Sequence, residues 1–194
     1  WDVRVLNRMY GIEFNQSRSN HCINFSKIEN TYIRNEVKIY FKQRILGSRG
    51  FSWATAKTYM NFLPRFVNFI CTIEPEWNDL NGLTREHLLK YIEQIHHHAK
   101  TKLKQRNSHP EHYVGTTLII IRNFLEDLQT YEYSIAPTKN ARTLIFSEDI
   151  PKRRKKSYDH VDYIPDYVLE QLFQKVEYLH PEVQPFIWIA FKTG

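Results

Sequence analysis

The chain has 194 residues, 42% hydrophobic and 14% aromatic, which is ample for packed cores and excludes a disordered protein. Its formal net charge of +6 points to a polyanionic partner if the charge is clustered. No stretch approaches the ~20 apolar residues of a membrane span, and two cysteines without a C-x-x-C pairing, Cys22 and Cys71, favour reduced thiols in a cytosolic compartment over a disulfide framework.

In chain order, residues 1–24 read as an irregular opening segment. Apolar residues then recur at helical spacing: Ile28, Tyr32, Ile33, Val37, Tyr40, Phe41 and Ile45, closed by the Leu46-Gly47-Ser48-Arg49-Gly50 turn. A second helix starts after Ser52, a candidate N-cap, and carries Ala56, Tyr59, Leu63, Phe66, Val67 and Ile70 on one face. Pro64 lies inside it and removes one backbone hydrogen bond, which predicts a kink. A third helix starts at Thr84, with Glu86 in its first turn, and shows Leu88, Tyr91, Ile92, Ile95, Ala99 and Leu103. Ser108-His109-Pro110-Glu111 opens a fourth, with the stripe Val114, Leu118, Ile121, Leu125 and Leu128. Four amphipathic helices over 25–133 predict one compact bundle.

Residues 134–163 read as a linker, rich in proline and short polar runs. Lys139, Arg142, Lys152, Arg153, Arg154, Lys155 and Lys156 face only Glu148 and Asp149 within 139–156, so this stretch holds most of the chain's net charge. Pro165-Asp166 then open a fifth helix with Val168, Leu169, Leu172, Phe173, Val176 and Leu179 facing inward, and His180-Pro181-Glu182 restart the chain into a sixth that ends at Thr193-Gly194. Two helices cannot bury this much apolar surface between them. Residues 164–194 are therefore expected to open a second, incomplete domain.

The charge pattern supplies the functional candidates. Five consecutive cations, Lys152 through Lys156, suit a strap across a phosphate backbone, where each cation displaces condensed counterions; the same run also fits a solvated linker or a targeting signal in a nucleated cell. Lys57, Asn61 and Arg65 are spaced by four and share one side of the second helix. Arg49, Ser52, Trp53 and Thr55 cluster at its N-terminus, where backbone amides also favour a phosphate. On the fourth helix His112, Tyr113, Thr116, Thr117 and Arg122 are expected on or near the exposed side. Hydroxyls, cations and rings together suit a helix that reads a DNA groove, although any surface helix shows a polar face. His96-His97-His98 does not suggest a metal, because neighbouring helical residues point about 100° apart and cannot converge on one ion. Neither a glycine-rich phosphate loop nor a nucleophile elbow occurs, so neither a metal nor a small-molecule cofactor is expected.

Three segments together resemble the tyrosine recombinases, or phage-integrase family, especially their transposon-encoded branch. FSWATAKTYMNFLPRFVNFI is similar to the family's S-x-x-T-x-x-x-Y…L-x-x-F opening of the core-binding domain. TTLIIIRNFLEDL resembles its last core-binding helix, and IPDYVLEQLFQKVEYLHPEVQPFIWIAFKTG the first two helices of its catalytic domain. The resemblance covers roughly residues 25–194. It implies a mainly α fold: a four-helix, SAM-like core-binding bundle, a basic linker, and the truncated start of a catalytic domain. It also implies double-stranded DNA as partner, a tetramer on two DNA sites for the whole protein, and work in the bacterial cytoplasm on the nucleoid.

In the family a tyrosine hydroxyl attacks a phosphodiester, leaving a 3′-phosphotyrosyl link and a free 5′-hydroxyl that rejoins another strand. Arginines stabilise the phosphate in transit without a metal, and neither ATP nor Mg²⁺ is needed. The resemblance places the first catalytic arginine two residues past Gly194, so no residue of 1–194 is expected to be catalytic and the chain alone is expected to be inactive. Two other readings stay open on the residues themselves. One is a non-catalytic helical DNA-binding regulator, and the other a helical interaction module whose basic stretch is only a linker.

Overall fold

The computed structural model describes residues 1–17, 21–47, 50–102, 110–151 and 164–193. Among these the secondary structure is helical, apart from an isolated bridge between Asp2 and Cys22. The mainly α expectation is met. The chain forms two compact units, Trp1–Arg153 and Arg154–Gly194.

The first unit contains six helices among its described residues: α1 (Val3–Tyr10), α2 (Thr31–Gly47), α3 (Trp53–Ile73), α4 (Arg85–Lys102), α5 (Pro110–Thr130) and α6 (Ala141–Leu144). The opening segment is not wholly irregular, because Asp2 caps α1 by accepting from the Arg4 amide and Gly11 ends it at φ 67°. The bridge to Cys22 and burial of Val3 hold α1 to the rest of the unit.

Each long helix starts where its sequence provides an acceptor or tolerates a missing donor. Asn30 Oδ1 accepts from the Ile33 amide at 3.0 Å at the head of α2. Ser52 Oγ accepts from the Thr55 amide at 3.2 Å at the head of α3. At α4 the acceptor is His87 Nδ1, 3.1 Å from the Thr84 amide, in the place where a glutamate commonly sits. Pro110 begins α5, where its absent N–H costs nothing. Helix α3 continues through buried Pro64 to Ile73. Past the end of α5 the Tyr133 amide reaches back to the Leu128 carbonyl at 2.9 Å, with Glu132 left-handed at φ 53°.

The expected stripes supply the core, including Ile33, Val37, Tyr40 and Phe41 of α2, Leu63 to Ile70 of α3, and Leu118 to Leu128 of α5. Tyr40 sits among the rings of Phe41, Phe51, Phe124 and Tyr133. Its hydroxyl donates to Asp127 at 2.8 Å, and burial together with that carboxylate pushes its ionisation well above the ordinary tyrosine range.

The stretch expected to be linker from residue 134 is partly core. Ile135, Ala141, Leu144 and Ile145 are fully buried in the first unit. Gln129 of α5 pins them: its amide donates to the Pro137 and Lys139 carbonyls at 2.7 Å, and its oxygen accepts from Ala141 N at 3.0 Å. A second anchor is Arg85, at the head of α4. Its guanidinium forks onto both Asp149 oxygens at 2.6 Å, donates to the Leu144 carbonyl at 2.7 Å, and covers the Phe146 ring at 4.6 Å. A cation at a helix N-terminus is unfavourable by itself, and Asp149 offsets it.

The second unit contains α7 (Asp166–Lys175), a 3-10 turn at Val176–Tyr178, and α8 (Gln184–Thr193). Phe173 stacks on Trp188 at 4.8 Å and meets Phe191 edge-on at 4.6 Å, and Val176 is buried. Val168 and Leu172, expected to face inward, remain exposed, as do Phe186 and Ile189, because two ten-residue helices have too little facing surface to cover them.

Candidate nucleic-acid interface

Helices α3 and α5 lie side by side in opposite directions. Tyr59 lies beside Asn123, whereas six residues later Arg65 Nη1 donates to the Tyr113 hydroxyl at 2.6 Å. Phe62 packs on Tyr113 at 5.7 Å between these contacts. The outer surface of this pair carries Thr58, Asn61 and Arg65 from α3 and His112, Thr116 and Asn123 from α5, all exposed or half-buried.

The charge on α3 is one-sided, whereas α5 carries Glu111, Glu126 and Asp127 beside Arg122. Over its 21 residues α3 holds Lys57 and Arg65 and not one carboxylate. Four arginines elsewhere pair with carboxylates, Arg4 with Asp2, Arg44 with Asp127, Arg85 with Asp149 and Arg142 with Glu126, whereas Arg8 and Arg34 bond to backbone carbonyls and the Thr31 hydroxyl. Arg65 and Arg122 have no carboxylate partner among the described residues. Arg122 Nε is also buried without an acceptor, an uncommon state for a guanidinium N–H.

The expected site residues separate accordingly. Lys57, Asn61, Arg65, His112, Thr116 and Arg122 share the α3/α5 pair and keep some exposure. Ser52 and Thr55 lie at the head of α3, with their hydroxyls engaged with each other at 3.0 Å and in the cap. Trp53 and Thr117 are not on the outer surface, being 5% and 1% exposed. Thr117 is one residue, and so about 100°, beyond Thr116; that rotation turns it inward, where its hydroxyl donates to the Tyr113 carbonyl at 2.8 Å. Lys139 is exposed, and Arg142 pairs with Glu126 at 2.9 Å. Arg49 and Lys152, Arg153, Arg154, Lys155 and Lys156 lie outside the described residues.

Pro151, immediately before the basic run, rests on α5. A Cβ added to Gly115 would sit 3.6 Å from its carbonyl oxygen and 3.8 Å from its Cδ. The Arg85–Asp149 fork just upstream holds this stretch down.

Two residues that organise this region were not singled out by sequence. Arg85 was legible only as a cation misplaced at a helix N-terminus, which asks for a carboxylate without naming it. His98 stood within the triple histidine, whose members diverge as helical geometry requires: His98 Nε2 lies 3.1 Å from Arg65 Nη1, whereas His97 is exposed. Among the described residues there is no group of three or more metal-ligating side chains, and no helix is long and apolar enough to cross a membrane.

No family model matches the chain, and no solved structure matches it. Curated relatives do. The chain is 26% identical over all 194 residues to Transposase B from transposon Tn554 of Staphylococcus aureus strain Mu50 / ATCC 700699, and equally to that of strain N315. The same identity and coverage hold for Transposase B from transposon PsiTn554 of Staphylococcus aureus. The chain spans 28% of the length of each of these relatives.

Proposed function

We propose that this chain is a duplex-DNA-binding portion of a transposon-encoded, site-specific recombinase of the tyrosine type. The observation that carries the reading is the similarity to transposases along the whole of its 194 residues. The carboxylate-free α3, together with Arg65 and Arg122, which have no carboxylate partner among the described residues, supports DNA as the partner, because unneutralised guanidinium groups attract phosphates. Lys57, Asn61, Arg65, His112, Thr116 and Arg122 contact the groove and its flanking phosphates. Lys152 through Lys156 cross the backbone from the Pro151 anchor.

In the whole protein the reaction is strand exchange through a phosphotyrosine link, on a tetramer holding two DNA sites, and no step needs a metal or a small-molecule cofactor. The resemblance assigns none of the strand-cutting groups to residues 1–194. This chain therefore binds DNA without cutting it. Incubation with a nicked suicide duplex selected for binding, followed by denaturing electrophoresis, tests this directly. A mobility shift under native conditions without a denaturation-resistant adduct is expected. A covalent adduct would place the chemistry inside this chain, and no shift at low salt would remove DNA as the partner.

A further inference from the structure

Arg65, exposed on α3, is held by acceptors on two other helices. Its Nη1 is bonded twice, to the Tyr113 hydroxyl of α5 at 2.6 Å and to His98 Nε2 of α4 at 3.1 Å, so one nitrogen ties three helices together. The Tyr113 ring is itself fixed, by Phe62 at 5.7 Å and by the His98 ring at 5.8 Å. Nε and Nη2 make no bond to the described residues, and the side chain has no carboxylate partner there. A long cationic side chain ordinarily gives up several rotatable bonds of freedom when it meets a ligand. Here that ordering is already done by neutral acceptors, which leave the full positive charge in place.

We infer that Arg65 is a pre-oriented anchor for one backbone phosphate of duplex DNA, with Tyr113 and His98 acting as its positioning residues and not as DNA contacts. The inference rests on the DNA-binding reading above and goes further by dividing roles within the surface. Nη1 is taken by the two acceptors, which leaves Nε and Nη2, the parallel donors of one guanidinium edge, for two phosphate oxygens at once. The phosphate fixes where the α3/α5 pair sits on the duplex, and base-reading falls to its neighbours.

The test uses the full chain and a fluorescein-labelled mixed-sequence duplex of about 30 base pairs, with anisotropy titrations from about 50 to about 200 mM NaCl. Wild type, Arg65→Ala, Arg65→Lys and Tyr113→Phe are compared, with circular dichroism checking each fold; Arg65→Gln replaces Arg65→Ala if the latter melts early. Arg65→Ala is expected to reduce the log–log salt slope by about 0.9, the loss of one phosphate contact. Arg65→Lys keeps the charge and is expected to restore the slope. Tyr113→Phe keeps every charge, so its slope is expected to match wild type while its affinity falls about 2–10-fold, the cost of ordering a freed side chain at the moment of binding. A purely structural tyrosine would change melting without that split. Tyr113→Phe binding as tightly as wild type overturns the positioning role, and an unchanged slope in Arg65→Ala overturns the phosphate contact. Wild type failing to bind the duplex at about 50 mM salt overturns the DNA reading beneath both, a result distinct from either.

Discussion

Replacing Arg85 with alanine should loosen residues 141–151 from the bundle while leaving the four long helices intact. Arg85 supplies two 2.6 Å bonds to Asp149, one to the Leu144 carbonyl, and a cation over the Phe146 ring. The pair is neither fully buried nor free in solvent, with side chains 27% and 15% exposed. Removing one partner of a buried pair costs ~3–5 kcal/mol, whereas exposed pairs are worth ~0–1 kcal/mol. An intermediate loss of about 2–3 kcal/mol follows from these limits. Asp149 keeps one donor, the Phe146 amide at 2.7 Å, which prevents the larger figure. Urea denaturation should show the loss as a lower midpoint at similar slope, and hydrogen exchange should show 141–151 opening before α3 or α5. A cycle with Asp149→Asn isolates the pair, and a coupling of about 1–2 kcal/mol is expected between groups in direct contact. A total loss below about 0.5 kcal/mol, the scale of an ordinary surface change, would refute the reasoning.

Three further outcomes follow from particular contacts. Gly82→Ala should destabilise by about 1–3 kcal/mol in a thermal melt, because its Cβ would lie 2.6 Å from Trp77 Cζ2 and the Trp77 ring is held edge-on against His87 at 5.2 Å; a neutral result would mean that ring moves freely. Glu132→Gly should stabilise by about 0.5–1 kcal/mol, since Glu132 occupies the left-handed position after α5 at φ 53°; a loss would show that its side chain contributes more than its backbone strain costs. Asp2 should titrate near pH 2, because the Arg4 side chain and amide bonded to it hold its carboxyl about there. The folded value is depressed, so its contribution to docking α1 is present above the ordinary aspartate range and is lost as pH falls toward 2; carboxyl NMR with a midpoint near 4 would contradict the cap.

The four long helices were legible because their apolar residues keep one period for four or more turns, and the Ser52 cap was legible because a hydroxyl immediately before such a stripe has few other uses. The short α1 was missed although Asp2 and Gly11 mark both its ends, because eight residues give too few repeats for a period to stand out. The buried part of 134–151 was missed for a different reason. Ile135, Leu144 and Ile145 are scattered among polar residues, and what pins them is a glutamine at the end of α5 and an arginine on α4 that is distant in sequence. The α3 side of the candidate surface was legible as a spacing of four. Which α5 residues share it was only partly so, since Thr116 and Thr117 differ by one helical step and a single sequence fixes a helix's rotation no better than that. Pairing was not legible at all. That Arg142 is neutralised by Glu126 whereas Arg65 rests on neutral acceptors depends on which helices touch.

The central claim is that the chain holds duplex DNA largely through phosphate contacts, including those of Lys152 through Lys156. The most direct measurement is the salt dependence of duplex affinity for the intact chain and for a variant with those five residues replaced by Ser and Gln. Five full contacts would contribute about −4.5 to the log–log slope. Consecutive cations share contacts imperfectly, so two or three phosphate equivalents are expected, a weakening of about 10–40-fold from this run alone when salt rises fourfold. The replaced chain should bind with a slope shallower by about 2–3 and an unchanged circular dichroism spectrum. An identical slope in the two proteins would mean the run never meets DNA, and salt-independent or absent binding in both would contradict the account as a whole.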